Sequence, residues 1–216
     1  MSTRAERRAE RRKQKARSRA PQRAVPWFSA LVVGVLLVGG FLLLRNFGVF
    51  ESSSSAIVTG PDINPAQVTP NVGQQVPTMD ATHIDLSQSF TQYNTTPPNS
   101  GPHWNAAGRG PIGWGVYTTQ QRNEGVVHNL EHGGVLIAYD PSVSDQDVAN
   151  LNSIRRRWPK DRFSEVKIII EPYAGLGQGT IAMTAWGYID KMTTYDERRI
   201  QGFIAAHIDR GPEDAP

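Results

Sequence analysis

Twenty-one consecutive residues without a charge, AVPWFSALVVGVLLVGGFLLL from Ala24 to Leu44, divide this chain into parts that cannot share one fold. As a helix rising about 1.5 Å per residue, a run of that length crosses the roughly 30 Å of a hydrocarbon core. A secretory signal has a shorter apolar stretch, about 7 to 15 residues, ending at a small-residue cleavage site. The best such site, Ser54 to Ala56, lies well past the run, so the pattern predicts an uncleaved transmembrane helix over 24–45. Trp27 and Phe28 sit at one interface and Arg45, followed by Phe47 and Phe50, at the other, as interfacial anchors do. Those flanks argue against a buried core helix.

Charge supplies the orientation. Residues 1–26 carry ten Lys or Arg against Glu6 and Glu10, whereas residues 46–216 carry twelve against eighteen acids. Basic residues stay on the cytoplasmic side, which places the carboxy-terminal part outside the cytoplasm. The sequence pI of 9.3 therefore belongs to the tail and gives no reason to expect specific nucleic-acid binding. The expected organisation is a basic cytoplasmic tail at 1–23, the membrane helix at 24–45, a flexible linker at 46–77, an extracytoplasmic globular domain at 78–210 and a short tail at 211–216. The linker is rich in Ser, Pro, Asn and Gln from Ser52 to Pro77 and has too few large apolar residues to offset the entropy of ordering it. There is no cysteine, which excludes disulfides, thiol chemistry and thiolate-bound zinc. The lipid bilayer is the one partner this organisation names; a protein partner is unknown.

Within the domain, VLIAYD after Gly134 reads as a short apolar strand stopped by Pro141. Ser144, with Asp147 three residues on, caps a helix whose stripe is Val148, Leu151, Ile154 and Trp158, ended by Pro159. Val166 to Glu171 is a β-branched strand, and the Gly-rich AGLGQG turns the chain into one further strand, Thr180 to Met192. Thr194 with Glu197 opens a last helix with Ile200, Phe203, Ile204, His207 and Ile208 on one face. Ile84, Leu86 and Phe90 around His83, and Ile112 to Tyr117, give weaker extended patterns. The predicted class is α+β, a small sheet with helices packed on one face.

Three motifs stand out: YNTTPPNSGPHW from Tyr93 to Trp104, VVHNLEHGGVLIAY from Val126 to Tyr139, and TAWG from Thr184 to Gly187. In this combination the chain resembles the bacterial family known as domain of unknown function 3105, over about residues 78 to 210. The resemblance implies a single-pass, membrane-anchored protein and no particular activity, so chemistry must be read from the residues.

His128 and His132, four apart, share a face whether their segment is helix or strand. Glu131 joins them only on a helix, as a ligand or a base. H-x-x-E-H is also the letter pattern of inverted zinc proteases, where a long helix presents two histidines and the glutamate activates water. Gly125 ahead, and Gly133 and Gly134 behind, leave about two helical turns at most, too few for that scaffold. Pro97, Pro98, Pro102 and Gly101 stiffen the loop that presents His103 and Trp104, as a preorganised ligand requires. The expected metal ligands are His103, His128, His132 and Glu131, with His83 as a further candidate. Tyr93, Trp104 and Trp114 are the expected pocket walls. His207, on an apolar helix face, reads as a packed histidine, and Met183 as core.

An all-imidazole set with an optional carboxylate suits copper or zinc. No serine-nucleophile motif, phosphate loop or dinucleotide fingerprint is present, so no nucleotide cofactor is expected. Three functions fit: an anchored metal-binding domain, a cell-envelope interaction module with structural histidines, and a metal-dependent hydrolase with Glu131 as general base. The first is preferred, and the pattern leans away from an enzyme.

Overall fold

A computed structural model describes residues 60–216. The basic tail, the expected membrane helix and the linker up to residue 59 lie outside the described residues. Among the described residues no helix is long and apolar enough to cross a membrane.

The apolar run Val135–Tyr139 forms β5 at the centre of a six-stranded sheet, paired in parallel with β6 (Ile168–Pro172) and antiparallel with β7 (Ile181–Ala185). The remaining strands are β1 (Gln74–Gln75), β4 (Gly115–Val116) and β8 (Tyr188–Met192), in the spatial order β1-β8-β7-β5-β6-β4. A separate parallel pair joins β2 (His83–Ile84) to β3 (His103–Trp104). The helices are α1 (Asn123–Glu131), α2 (Asp145–Arg157) and α3 (Glu197–His207). Parallel neighbours need a crossover, and α2 supplies it between β5 and β6. Ser144 caps α2 by accepting from the Asp147 amide, and Trp158 closes it before Pro159.

Helices cover both faces of the sheet, which corrects the expectation of one covered face. Val135, Ile137, Ile168, Ile170, Ile181 and Met183 pack with Leu151, Ile154 and Trp158 of α2 and Ile200, Phe203 and Ile204 of α3. The alternate residues Leu136, Ala138, Ile169 and Ala182 pack instead with Val126 and Leu130 of α1. The reason lies in the strands themselves: β5, β6 and β7 carry apolar residues on both faces, and such a strand must be covered twice.

Three further expectations change. Thr180 to Met192 is a hairpin, because Gly187 at φ +77° lets the chain reverse at Trp186–Gly187 and sets Ala185 opposite Tyr188. The cap of α3 is Asp196, whose side chain accepts from the Arg199 amide, so the helix starts later than Thr194 predicts. Residues 60–77 belong to the fold: Ile63 joins the core, its amide bonds Arg157 O at 2.9 Å, and β1 pairs with β8. A few anchors order a polar segment that composition alone reads as linker.

Glu171 of β6 is fully buried, and its Oε2 accepts from the Gln121 amide at 2.7 Å. Burial pushes its carboxyl up to about 7. A carboxyl held above its unfolded value binds its proton more tightly when folded, so stability falls as pH rises from about 4.5 to about 7 and stays lower beyond. Glu171→Gln keeps an acceptor and removes the charge. Urea denaturation should show the variant more stable than wild type at pH 8, by on the order of 2 kcal/mol, with the difference shrinking toward pH 4.5.

Candidate metal centre

Helix α1 places His128 and Glu131 on one face and ends in His132, whose amide bonds the carbonyl of His128. Gly125, which reads as a helix limit, lies inside α1. A β-carbon there would sit 2.4 Å from Arg109 O, so glycine lets the 109–112 loop lie against the helix. Asn129 completes that junction: its amide group donates to Ile112 O at 2.8 Å and accepts from the Ile112 amide at 2.9 Å.

Strand register supplies two more imidazoles. His83 of β2 is directly opposite His103 of β3, with ring centroids 4.8 Å apart. The loop before β3 is braced by Tyr93, which donates to Pro102 O at 2.8 Å and lies over Gly101, where a β-carbon would meet its ring at 3.1 Å.

Two backbone carbonyls aim the buried rings. His103 Nδ1 lies 2.8 Å from Gly101 O, and His128 Nδ1 lies 2.6 Å from Trp104 O. Carbonyl oxygen only accepts, so each Nδ1 carries the proton and each Nε2 offers a lone pair to the interior. His103 Nε2 is 2.9 Å from Glu131 Oε2, yet both atoms are buried without a hydrogen-bond partner. His83 Nε2 lies 3.7 Å from the same oxygen. One donor atom from each of His83, His103, His128 and Glu131 fits within 4.8 Å of the others. Ligands about 2.1 Å from a tetrahedral ion are about 3.4 Å apart, so small side-chain shifts let this group close on one. His103, His128 and Glu131 are buried, while the His83 side chain is 42% exposed and opens the cluster to solvent.

Burial lowers the His128 imidazole to about 4, aided by the neighbouring histidines and opposed by its bond to Trp104 O. The ring is neutral at physiological pH, the form that binds metal.

His132 joins differently. Its Nε2 lies 3.0 Å from His128 Nε2 and 3.4 Å from Glu213 Oε2, and these three residues form a second group of converging donors. The segment 211–216, expected as a tail, folds onto the site: the Glu213 amide bonds Glu131 O at 3.0 Å and His132 Nδ1 lies 2.9 Å from Pro216 O. Lys167, 2% exposed, ties that segment down by donating to Ala215 O at 2.7 Å and His132 O at 3.1 Å. Its ammonium also pairs with Asp161 at 3.3 Å and Asp209 at 3.2 Å.

The expected aromatic walls make separate contacts. Trp104 contributes its carbonyl to His128 and its indole to Gln88 O at 3.0 Å, with Arg109 and Arg122 over its ring. Trp114 lies over Gly134 against the core, and Tyr93 braces the loop of His103. Trp186, at the hairpin turn, stands edge-on 6.3 Å from His103. His207 bonds Val72 O at 3.0 Å between Tyr188 and Phe203, a packed histidine as expected.

Residues 83–216, more than half of the chain, match the family described as protein of unknown function (DUF3105), and the chain belongs to that family. No curated protein and no solved structure matches it.

Replacing Lys167 by Met leaves Asp161, whose side chain is 6% exposed, without its cation. Removing one partner of a buried pair costs about 3 to 5 kcal/mol. Lys167→Met should therefore lower unfolding free energy by about 3 kcal/mol in urea titrations and make residues 211–216 more susceptible to carboxypeptidase.

Proposed function

We propose that this domain binds one divalent first-row transition ion, zinc or copper(II), through His103, His128 and Glu131, with His83 as the exposed fourth donor. The observation that carries this reading is the buried His103 imidazole, whose Nδ1 is tied to Gly101 O and whose Nε2 lies 2.9 Å from Glu131 Oε2, both atoms lacking a hydrogen-bond partner, with a donor atom each of His128 and His83 within 4.8 Å. Burying such acceptors together is costly unless a cation shares them. Three nitrogens and one oxygen, without thiolate, suit zinc and copper(II).

Metal binding without turnover is favoured. A hydrolase built on H-x-x-E-H keeps its glutamate off the metal beside a bound water. Here Glu131 Oε2 lies 2.9 Å from His103 Nε2, inside the donor group. A second reading, an envelope interaction module with structural histidines, draws support from Asn129 and Glu124 of the same helix, which bond only backbone and neighbouring side chains. We also propose that the domain stands outside the cytoplasm, tethered by the uncharged run Ala24–Leu44, on the strength of that run and the ten basic residues before it.

The test is elemental analysis of the full chain, purified on a tag without histidines and equilibrated with zinc or copper(II) at pH 7.5. Wild type should retain one equivalent, His128→Ala should lose it, and Glu131→Gln should bind at least about tenfold more weakly with unchanged circular dichroism. Retention should fall on acidification as protons compete for the imidazoles. Wild type without stoichiometric metal, together with histidine variants that change only melting temperature, would leave the interaction module standing instead.

A further inference from the structure

The contact between His128 and His132 is not explained by the four-donor site. Their Nε2 atoms are 3.0 Å apart, and each ring's Nδ1 faces a backbone oxygen, Trp104 O for His128 and Pro216 O for His132. Both Nδ1 atoms therefore donate, and the two Nε2 atoms are turned toward each other. That arrangement is repulsive unless a positive charge sits between them. Glu213 Oε2, 3.4 Å from His132 Nε2, supplies an anion at the same point.

We propose that His128, His132 and Glu213 form a second cation subsite that overlaps the first, with His128 Nε2 as their common donor. This rests on the metal-binding reading above and extends it to a second position for the same class of ion, a divalent first-row transition cation. The His128 Nε2 atom has one lone pair and its Nδ1 is committed to Trp104 O, so the ring cannot bridge two ions. The subsites are therefore filled one at a time. Each opens to solvent at its own end, through His83, 42% exposed, and through Glu213, 49% exposed, while His128 is buried between them. An ion moving from one to the other keeps His128 throughout, so the pair forms a handover path across the buried centre.

Alternative subsites leave a distinctive pattern of coupling, because losing one matters only when the other is weak. Zinc affinity of the full chain is measured by competition with a chromophoric chelator. In the wild-type background, His132→Ala should change affinity less than about threefold. In a His83→Ala/Glu131→Gln background, which weakens the first subsite, the same substitution should cost at least about tenfold more, and Glu213→Gln should follow it. Circular dichroism and melting curves establish that each variant is folded; if His132→Ala is not, Glu213→Gln alone carries the comparison.

One equivalent of zinc in wild type with this coupling supports the overlap. Equal losses in both backgrounds would make His132 a ligand of a single site and overturn it, as would no effect in either, which assigns the charge between the rings to a proton. Two equivalents in wild type would overturn the sharing of His128. No zinc in wild type would fail the metal-binding reading itself, a result distinguishable from all of these.

Discussion

Two hydrogen bonds to backbone carbonyls, from His103 Nδ1 to Gly101 O and from His128 Nδ1 to Trp104 O, fix which atoms of the buried rings are left facing inward. Without them each imidazole would choose its tautomer and rotamer freely, and the grouping of their donor atoms with that of Glu131 would have no cause. Both acceptors lie in the 101–104 segment, so one short piece of chain aims rings from a strand and from a helix. Much of the surrounding structure holds that segment still. Tyr93 locks Pro102, Gln88 accepts from the Trp104 indole, and Asn129 clamps α1 to the loop that follows.

The sheet contributes rigidity from below. Because β5 is buried on both faces, α1 is pressed onto one of them by Val126 and Leu130, which leaves its His128 and Glu131 face toward β3. Gly134 makes the passage from α1 to β5 short, since a β-carbon there would collide with Trp114 at 2.5 Å and with Asn129 O at 2.7 Å. Lys167 then gathers the His132 carbonyl, the segment before the last residue and two carboxylates around one buried ammonium. The second donor group depends on that knot, because Glu213 belongs to the segment it fixes.

What the sequence made legible follows from the range of each interaction. Local patterns carried far: the strand after Gly134, the Ser144 cap and the stripe on α2 are decided by neighbours in the chain. His128, Glu131 and His132 were visible as a cluster for the same reason, and His103 through its prolines. His83 carries little local signal because its place depends on strand register with His103, a pairing across twenty positions that no local pattern encodes. Glu213 was missed because it reaches His132 by a fold-back of a polar segment. Gly125 misled, since a glycine that would break an isolated helix is here required by a packed loop. The second covered face is encoded in the lack of alternation along β5, β6 and β7, which the presence of apolar runs alone does not reveal.

The proposed function requires that these imidazole nitrogens share one ion. X-ray absorption at the metal edge of the zinc-loaded full chain tests that claim most directly. The claim predicts a shell of nitrogen and oxygen at about 2.0 to 2.2 Å with the outer-shell scattering of at least two imidazoles, diminished in His103→Ala. A spectrum of oxygen ligands alone, unchanged by that substitution, would contradict it.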